Sequence, residues 1–142
     1  MDAVARPPGL VPELDVTDLD ASIRFLAMLG FEVQYARPAE GFAYLAFAGV
    51  HLMLQTAGCP GRRFRTADLV PPHGRGVNFQ PEVSDVMALH EAVVASGASV
   101  VDGMENRWYA VDERERGNRQ FVVADPDGYL WRPFQDLGNR PC

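Results

Sequence analysis

Residue types that do chemistry are sparse in this chain. Among its 142 residues there are three histidines (His51, His73, His90) and two cysteines (Cys59, Cys142). No Cys-X-X-Cys pair or Cys/His cluster has zinc-site spacing. No paired carboxylates, Ser/His/Asp set or activated cysteine stands out either, so nothing nominates a reaction. One chemically pointed residue does emerge. It is Arg132, carried on the returning strand of FVVADPDGYLWRPF (121–134). In that stretch an apolar strand enters a tight turn, Asp125-Pro126-Asp127-Gly128, where proline presets φ and glycine takes positive φ freely. The strand that leaves the turn aims an arginine, not a carboxylate, into the fold.

Other candidates are aromatic or basic. Trp108 and Tyr109 fall in a stretch that suggests a flap, and aromatic faces attract planar and cationic ligands. Arg62-Arg63-Phe64-Arg65 reads either as an anion holder or as a solvated basic loop, and Asp112–Arg119 as a mixed-charge loop. Trp131 has the opposite parity to Arg132, which puts it between sheet and helix.

The net charge of −6 argues against nucleic-acid binding and favours cationic ligands, although solubility alone accounts for it. Hydrophobic residues at 47% and charged residues at 23% are ordinary for one globular domain or two small halves sharing a core. The N-terminus lacks the apolar segment of a signal peptide, and no run approaches the length of a membrane span. A cytoplasmic protein with two free thiols is expected.

The elements that position these residues repeat. Leu10–Val16 alternates as a strand, and Thr17 or Asp18 caps a helix with Leu19, Ile23, Leu26 and Leu29 on its apolar stripe. Phe31–Ala36 is a strand, and Phe42–Ala48 with Val50–Gln55 is a hairpin. The chain restarts with a strand at Gly76–Val83 and a helix capped by Ser84 or Asp85, bearing Val86, Leu89 and Val93. Ala98–Val101 then extends away. With an offset of 67 residues, Val16, Asp18, Leu19, Leu26, Gly30 and Val33 fall on Val83, Asp85, Val86, Val93, Gly97 and Val100. This is an internal duplication. The reading is α+β, two βαβββ modules whose curved mixed sheets surround a cup. Its parts are a flexible arm (1–9), a first module (10–57), a connector (58–75), a second module (76–136) and a C-terminal tail (137–142).

VTDLDASIRFLAMLGFEV (16–33), NFQPEVSDVMALHEAVVASGA (78–98) and FVVADPDGYLWRPF (121–134), in this order, resemble the vicinal-oxygen-chelate superfamily. It comprises glyoxalase I, extradiol dioxygenases and the fosfomycin- and bleomycin-resistance proteins. The resemblance places four metal-ligand positions on Val11, Met53, Asn78 and Arg132, none of which is a carboxylate or imidazole. A guanidinium there repels a divalent cation. Period-2 alternation from these positions turns Glu13, His51, Gln55, Gln80, Glu82, Leu130 and Phe134 inward. Glu13, His51, Met53, Asn78, Gln80, Trp108, Tyr109, Arg132 and Phe134 are therefore the expected ligand-binding residues. Arg132 either pairs with Glu13 or contacts ligand, and His51 is either a satisfied cup residue or a base.

The resemblance implies a bleomycin-resistance-like homodimer that sequesters an aromatic or cationic small molecule, possessing no catalytic metal and no cofactor. Nucleic acid and membrane are not expected partners. The competing reading is a glyoxalase- or dioxygenase-type metal-dependent lyase or oxygenase with ligands shifted to Glu13, His51 and Glu82. A third is a metal-independent enzyme in which Arg132 holds an anionic substrate and His51 or Glu13 is the base.

Overall fold

A computed structural model describes residues 6–56, 58–59 and 62–142. Most of the expected N-terminal arm lies outside the described residues. The chain divides into two compact units, Met1–Val70 and Pro71–Cys142.

In the first unit the order is β1 (Glu13–Val16), α1 (Leu19–Leu29), β2 (Glu32–Arg37), β3 (Phe42–Phe47) and β4 (Val50–Thr56). The sheet order is β1-β4-β3-β2, with β1 and β4 parallel and the other pairs antiparallel. The Asp18 carboxylate caps α1 by accepting the Ala21 N–H at 3.1 Å. Register sorts the sheet faces. Leu14 pairs with Leu54 and Leu45 with Leu52, and all four are buried with Val16, Phe25, Leu26 and Leu29. Glu13, Tyr44, Met53 and Gln55 share the other face. The helix stripe is rotated from its expected place. Ser22, Phe25, Leu26 and Leu29 are buried, while Leu19 and Ile23 are half-buried. The larger Phe25 ring takes the inward position that Ile23 was expected to hold.

The second unit contains β5 (Asn78–Phe79), α2 (Val86–Ala95), β6 (Ser99–Val111), β7 (Arg114–Ala124), β8 (Leu130–Trp131) and β9 (Phe134–Pro141). Its order, β5-β8-β7-β6, repeats the first unit's topology strand for strand. Asp85 caps α2 through the Ala88 N–H at 3.0 Å, and Val86, Leu89 and Val93 are buried as their spacing indicates. Phe121 and Val123 are fully buried, and the Phe121 ring meets His90 of α2 at 4.9 Å.

Three expectations are corrected here. The strand at Gly76–Val83 shrinks to two residues plus a bridge from Glu82 to Phe134, because Pro81 has no N–H to continue a ladder. The mixed-charge run Asp112–Arg119 is no loop. It turns at Asp112, whose φ is 53°, and enters β7 at Arg114. Residues 137–142 are no tail, since β9 runs to Pro141 and pairs with β7 from Gln120 back to Arg114. Together β8 and β9 form one path along β7, broken at Arg132 and Pro133. Among the described residues no helix is long and apolar enough to cross a membrane.

Candidate functional site

Among the described residues each unit carries an open cleft on the sheet face away from its buried layer. The first, of about 260 Å³, is lined by Glu13, Met53 and Gln55, by Arg62, Arg63 and Phe64 of the basic run, and by Tyr35, Arg37 and Phe42, which sequence reasoning missed. Tyr35 stacks on Tyr44 at 5.0 Å, and the Arg37 guanidinium lies 4.0 Å from the centre of the Phe42 ring while pairing with Glu40. Arg63 donates to Gln55 Oε1 at 2.6 Å and to the Thr56 carbonyl at 2.8 Å. Arg65 forks onto Asp15 at 2.8 and 3.2 Å. The run Arg62–Arg65 is thus neither a free basic loop nor an open anion site. Two of its arginines pin it to the sheet.

His51 is buried rather than cleft-lining. Its Nδ1 lies 2.7 Å from the Tyr44 hydroxyl, and the rings meet edge to face at 5.4 Å. Burial holds the Tyr44 phenol above its ordinary range. It therefore stays protonated. Of the two readings open for His51, this geometry is that of a satisfied core histidine.

The second cleft, of about 390 Å³, brings together Gln80, Arg107, Trp108, Tyr109, Asn118, Gln120 and Arg132. The break in the β8–β9 path positions Arg132. Its backbone N–H bonds to the Phe79 carbonyl at 2.6 Å, and its Nη2 donates to Gln80 Oε1 at 3.3 Å. Its Nε is buried with no hydrogen-bond partner. Asn118 and Gln120 are buried to within 7% of full cover, and Gln120 Nε2 reaches Glu105 Oε1 at 3.5 Å.

The pleat separates the two aromatic flap candidates. Arg107 pairs with Asn118 and Tyr109 with Arg116, on the cleft face, whereas Trp108 pairs with Gly117 on the other. Trp108 borders the cleft, but its indole lies flat on Gly117 with the Arg140 guanidinium 4.0 Å from its centre. A methyl group at Gly117 would fall 2.8 Å from three indole carbons at an ordinary backbone φ. Gly117→Ala is therefore expected to lift Trp108 off the sheet, with red-shifted Trp emission and about 1–3 kcal/mol lost in urea denaturation. Unchanged emission would disprove the stacked placement.

Besides His51, two further expected ligand residues fall outside both linings. Asn78 is exposed beside Leu130, and Phe134 is half-buried opposite Gln120. Asn118 and Gln120 were discoverable. Extending the alternation of Val122 upstream through Asn-Arg-Gln selects them, had the run not been read as loop.

The donor set does not fit the metal that the fold implies. Val11, Met53, Asn78 and Arg132 stand at the four positions, and Arg132 projects a cation into the second cleft. Among the described residues no three His, Cys, Asp or Glu side chains come together to hold a metal ion.

The repeated βαβββ topology and a family model agree on the class. The glyoxalase-like domain model matches residues 13–132, so the chain belongs to that family, within the vicinal-oxygen-chelate superfamily. TioX from Micromonospora sp. ML1 is 28% identical, with 90% of this chain and 98% of that one covered and a TM-score of 0.63. A virulence protein from Salmonella typhimurium is 20% identical over 95% and 98% of the two chains, with a TM-score of 0.67. A glyoxalase/bleomycin resistance protein/dioxygenase superfamily member from Vibrio splendidus 12B01 is 38% identical over 88% and 95%, with a TM-score of 0.42. No curated protein matches.

Proposed function

We propose that this protein binds and sequesters a small organic molecule, as the bleomycin-resistance group does, and performs no metal-dependent chemistry on it. Family membership supplies a scaffold shared by isomerases, oxygenases and binders, so the site must decide. The observation that carries the reading is Arg132. By the resemblance it stands where a carboxylate ligand would, and it faces a cleft whose other polar groups include Arg107 and the amides of Gln80, Asn118 and Gln120. A few convergent polar groups over a concave surface suit binding and orientation. None of them is a nucleophile or a carboxylate base. We place the protein in the cytoplasm as a homodimer, on the resemblance to the same group.

The test is a metal titration alongside a thermal-shift screen of aromatic compounds. The chelator-treated and untreated proteins are expected to melt alike, and a ligand at about 100 times its Kd to add about 2.7 kcal/mol of stability. Stoichiometric binding of Mn, Fe, Ni or Zn that disappears in Glu13→Ala or His51→Ala would overturn the reading in favour of a lyase or oxygenase.

A further inference from the structure

The second cleft is electrostatically opposite to the chain as a whole. The protein carries a net charge of −6, yet the cleft lining holds two arginines and no carboxylate. Glu105 and Asp136 share that face without lining the cleft. Asp136 pairs with Arg116, and Glu105 accepts from Gln120. Among the described residues Arg107 has no ion pair, and the Arg132 guanidinium uses one of its donors, in a long bond to Gln80. A guanidinium presents five N–H groups in a planar fork that matches a carboxylate. An expectation of cationic ligands, drawn from the net charge, therefore fails locally.

Size and shape narrow the class further. A cleft of about 390 Å³ lies near the lower end for small-molecule sites, typically about 300–1,000 Å³. Tyr109 is 45% exposed on the cleft face and offers a ring for stacking. The amides of Gln80, Asn118 and Gln120 both donate and accept, which suits the polar rim of a planar molecule. We propose that this cleft receives the carboxylate of a planar organic acid, with Arg132 and Arg107 binding the anion and Tyr109 covering the ring. The proposal rests on the sequestration reading and names its ligand class.

Calorimetric titration with three probes of one shape tests it: naphthalene-2-carboxylate, naphthalene-2-carboxamide and 2-naphthylmethylammonium. The carboxylate is expected to bind about tenfold or more tighter than the carboxamide, since hydrogen bonds to charged partners are the stronger ones. Arg132→Gln should erase that preference while leaving carboxamide affinity in place. Added salt should weaken only the carboxylate. If Arg132→Gln does not fold, the exposed Arg107→Gln gives the same readout, with a partial loss expected. Equal binding of acid and amide, or tightest binding of the ammonium probe, would overturn the anion assignment and leave sequestration standing. Acetate or inorganic phosphate binding as tightly as the naphthoate would overturn the planar-acid assignment in favour of a bare oxyanion site. No binding of any probe, combined with no stabilisation by any compound in the thermal-shift screen, would overturn both.

Discussion

Gly128→Ala is expected to cost about 3–5 kcal/mol, the sum of a left-handed backbone penalty and a steric one. Gly128 sits at φ 94° in the turn that joins β7 to β8. Its N–H bonds to the Asp125 carbonyl at 3.0 Å, and the loop before it is fastened by the His73 N–H to the Asp127 carbonyl at 2.8 Å. A methyl group there would stand 2.5 Å from Pro72 Cβ and 2.9 Å from Pro72 Cα. Those are a ring and a backbone atom, so neither gives way cheaply. Gly138 provides the control, because its φ is 83° and nothing lies within 4 Å of a Cβ built on it. Gly138→Ala should therefore show the backbone term alone, about 1 kcal/mol. Urea denaturation of the two variants separates the terms. Equal losses would mean that the packing of Pro72 against the turn contributes nothing.

That turn was legible in the sequence because its residues act locally. Proline, aspartate and glycine encode it through φ preferences and short-range hydrogen bonds. The same holds for the caps at Asp18 and Asp85, each of which reaches an N–H three residues ahead. These local signals, spaced alike in both halves, also foretold an element order that repeats along the chain. What escaped was structure whose reason is not local. Most of β6 is exposed and β9 has no buried residue, so neither shows the alternation by which a half-buried strand announces itself. They exist because β7 offers ladder partners on both edges. Ion pairs between β7 and β9, Arg116 to Asp136 and Glu115 to Arg140, put opposite charges side by side. Read along the chain, those charges look like solvated loop. Only the pairing of strands far apart in sequence gives them a partner.

The same blindness shaped the view of the site. Arg132 was visible because the turn beside it fixes its parity. Arg107 became legible only once β6 and β7 were known to be long paired strands, whereas Asn118 and Gln120 needed only the alternation of Val122 carried upstream. With that pairing in place, the Trp108-Tyr109 dipeptide splits between two faces. Tyr109 joins the cleft wall, and Trp108 becomes a residue that positions the sheet. The ligand class follows from the same three strands. Charge summed over the whole chain suggests cations, while the two arginines of the cleft lining are the basis for proposing an anion. The local field decides, because screening in physiological salt confines exposed charges to about 8 Å.

Asp125 links the turn to the buried layer, and its removal is the second large effect. Its Oδ1 accepts the Asp127 N–H at 2.9 Å and the Tyr129 N–H at 3.0 Å, and its Oδ2 accepts the Trp131 indole N–H at 3.2 Å. Trp131 is 2% exposed and packs on Phe79 at 4.7 Å. Asp125→Ala takes the acceptor from three buried donors at once. With about 1–3 kcal/mol for each donor left unsatisfied, and some relief from water, a loss of about 3–5 kcal/mol is expected. Asp125→Asn keeps the shape and the Oδ1 bonds but turns an NH₂ group toward the indole N–H, so it should lose about half as much.

The pH dependence separates charge from shape. Burial pushes the Asp125 carboxyl above its ordinary range, against the three donors that favour the charged form. The folded state therefore holds this proton more tightly than the unfolded state does. The contribution of Asp125 is greatest below the unfolded value and falls as pH rises through the folded one. Asparagine does not titrate, so the advantage of wild type over Asp125→Asn should widen as pH falls from 7 toward 4. A gap that narrows on acidification would show that the three N–H groups outweigh burial, and that the turn is held by a carboxylate stabilised in its charged form.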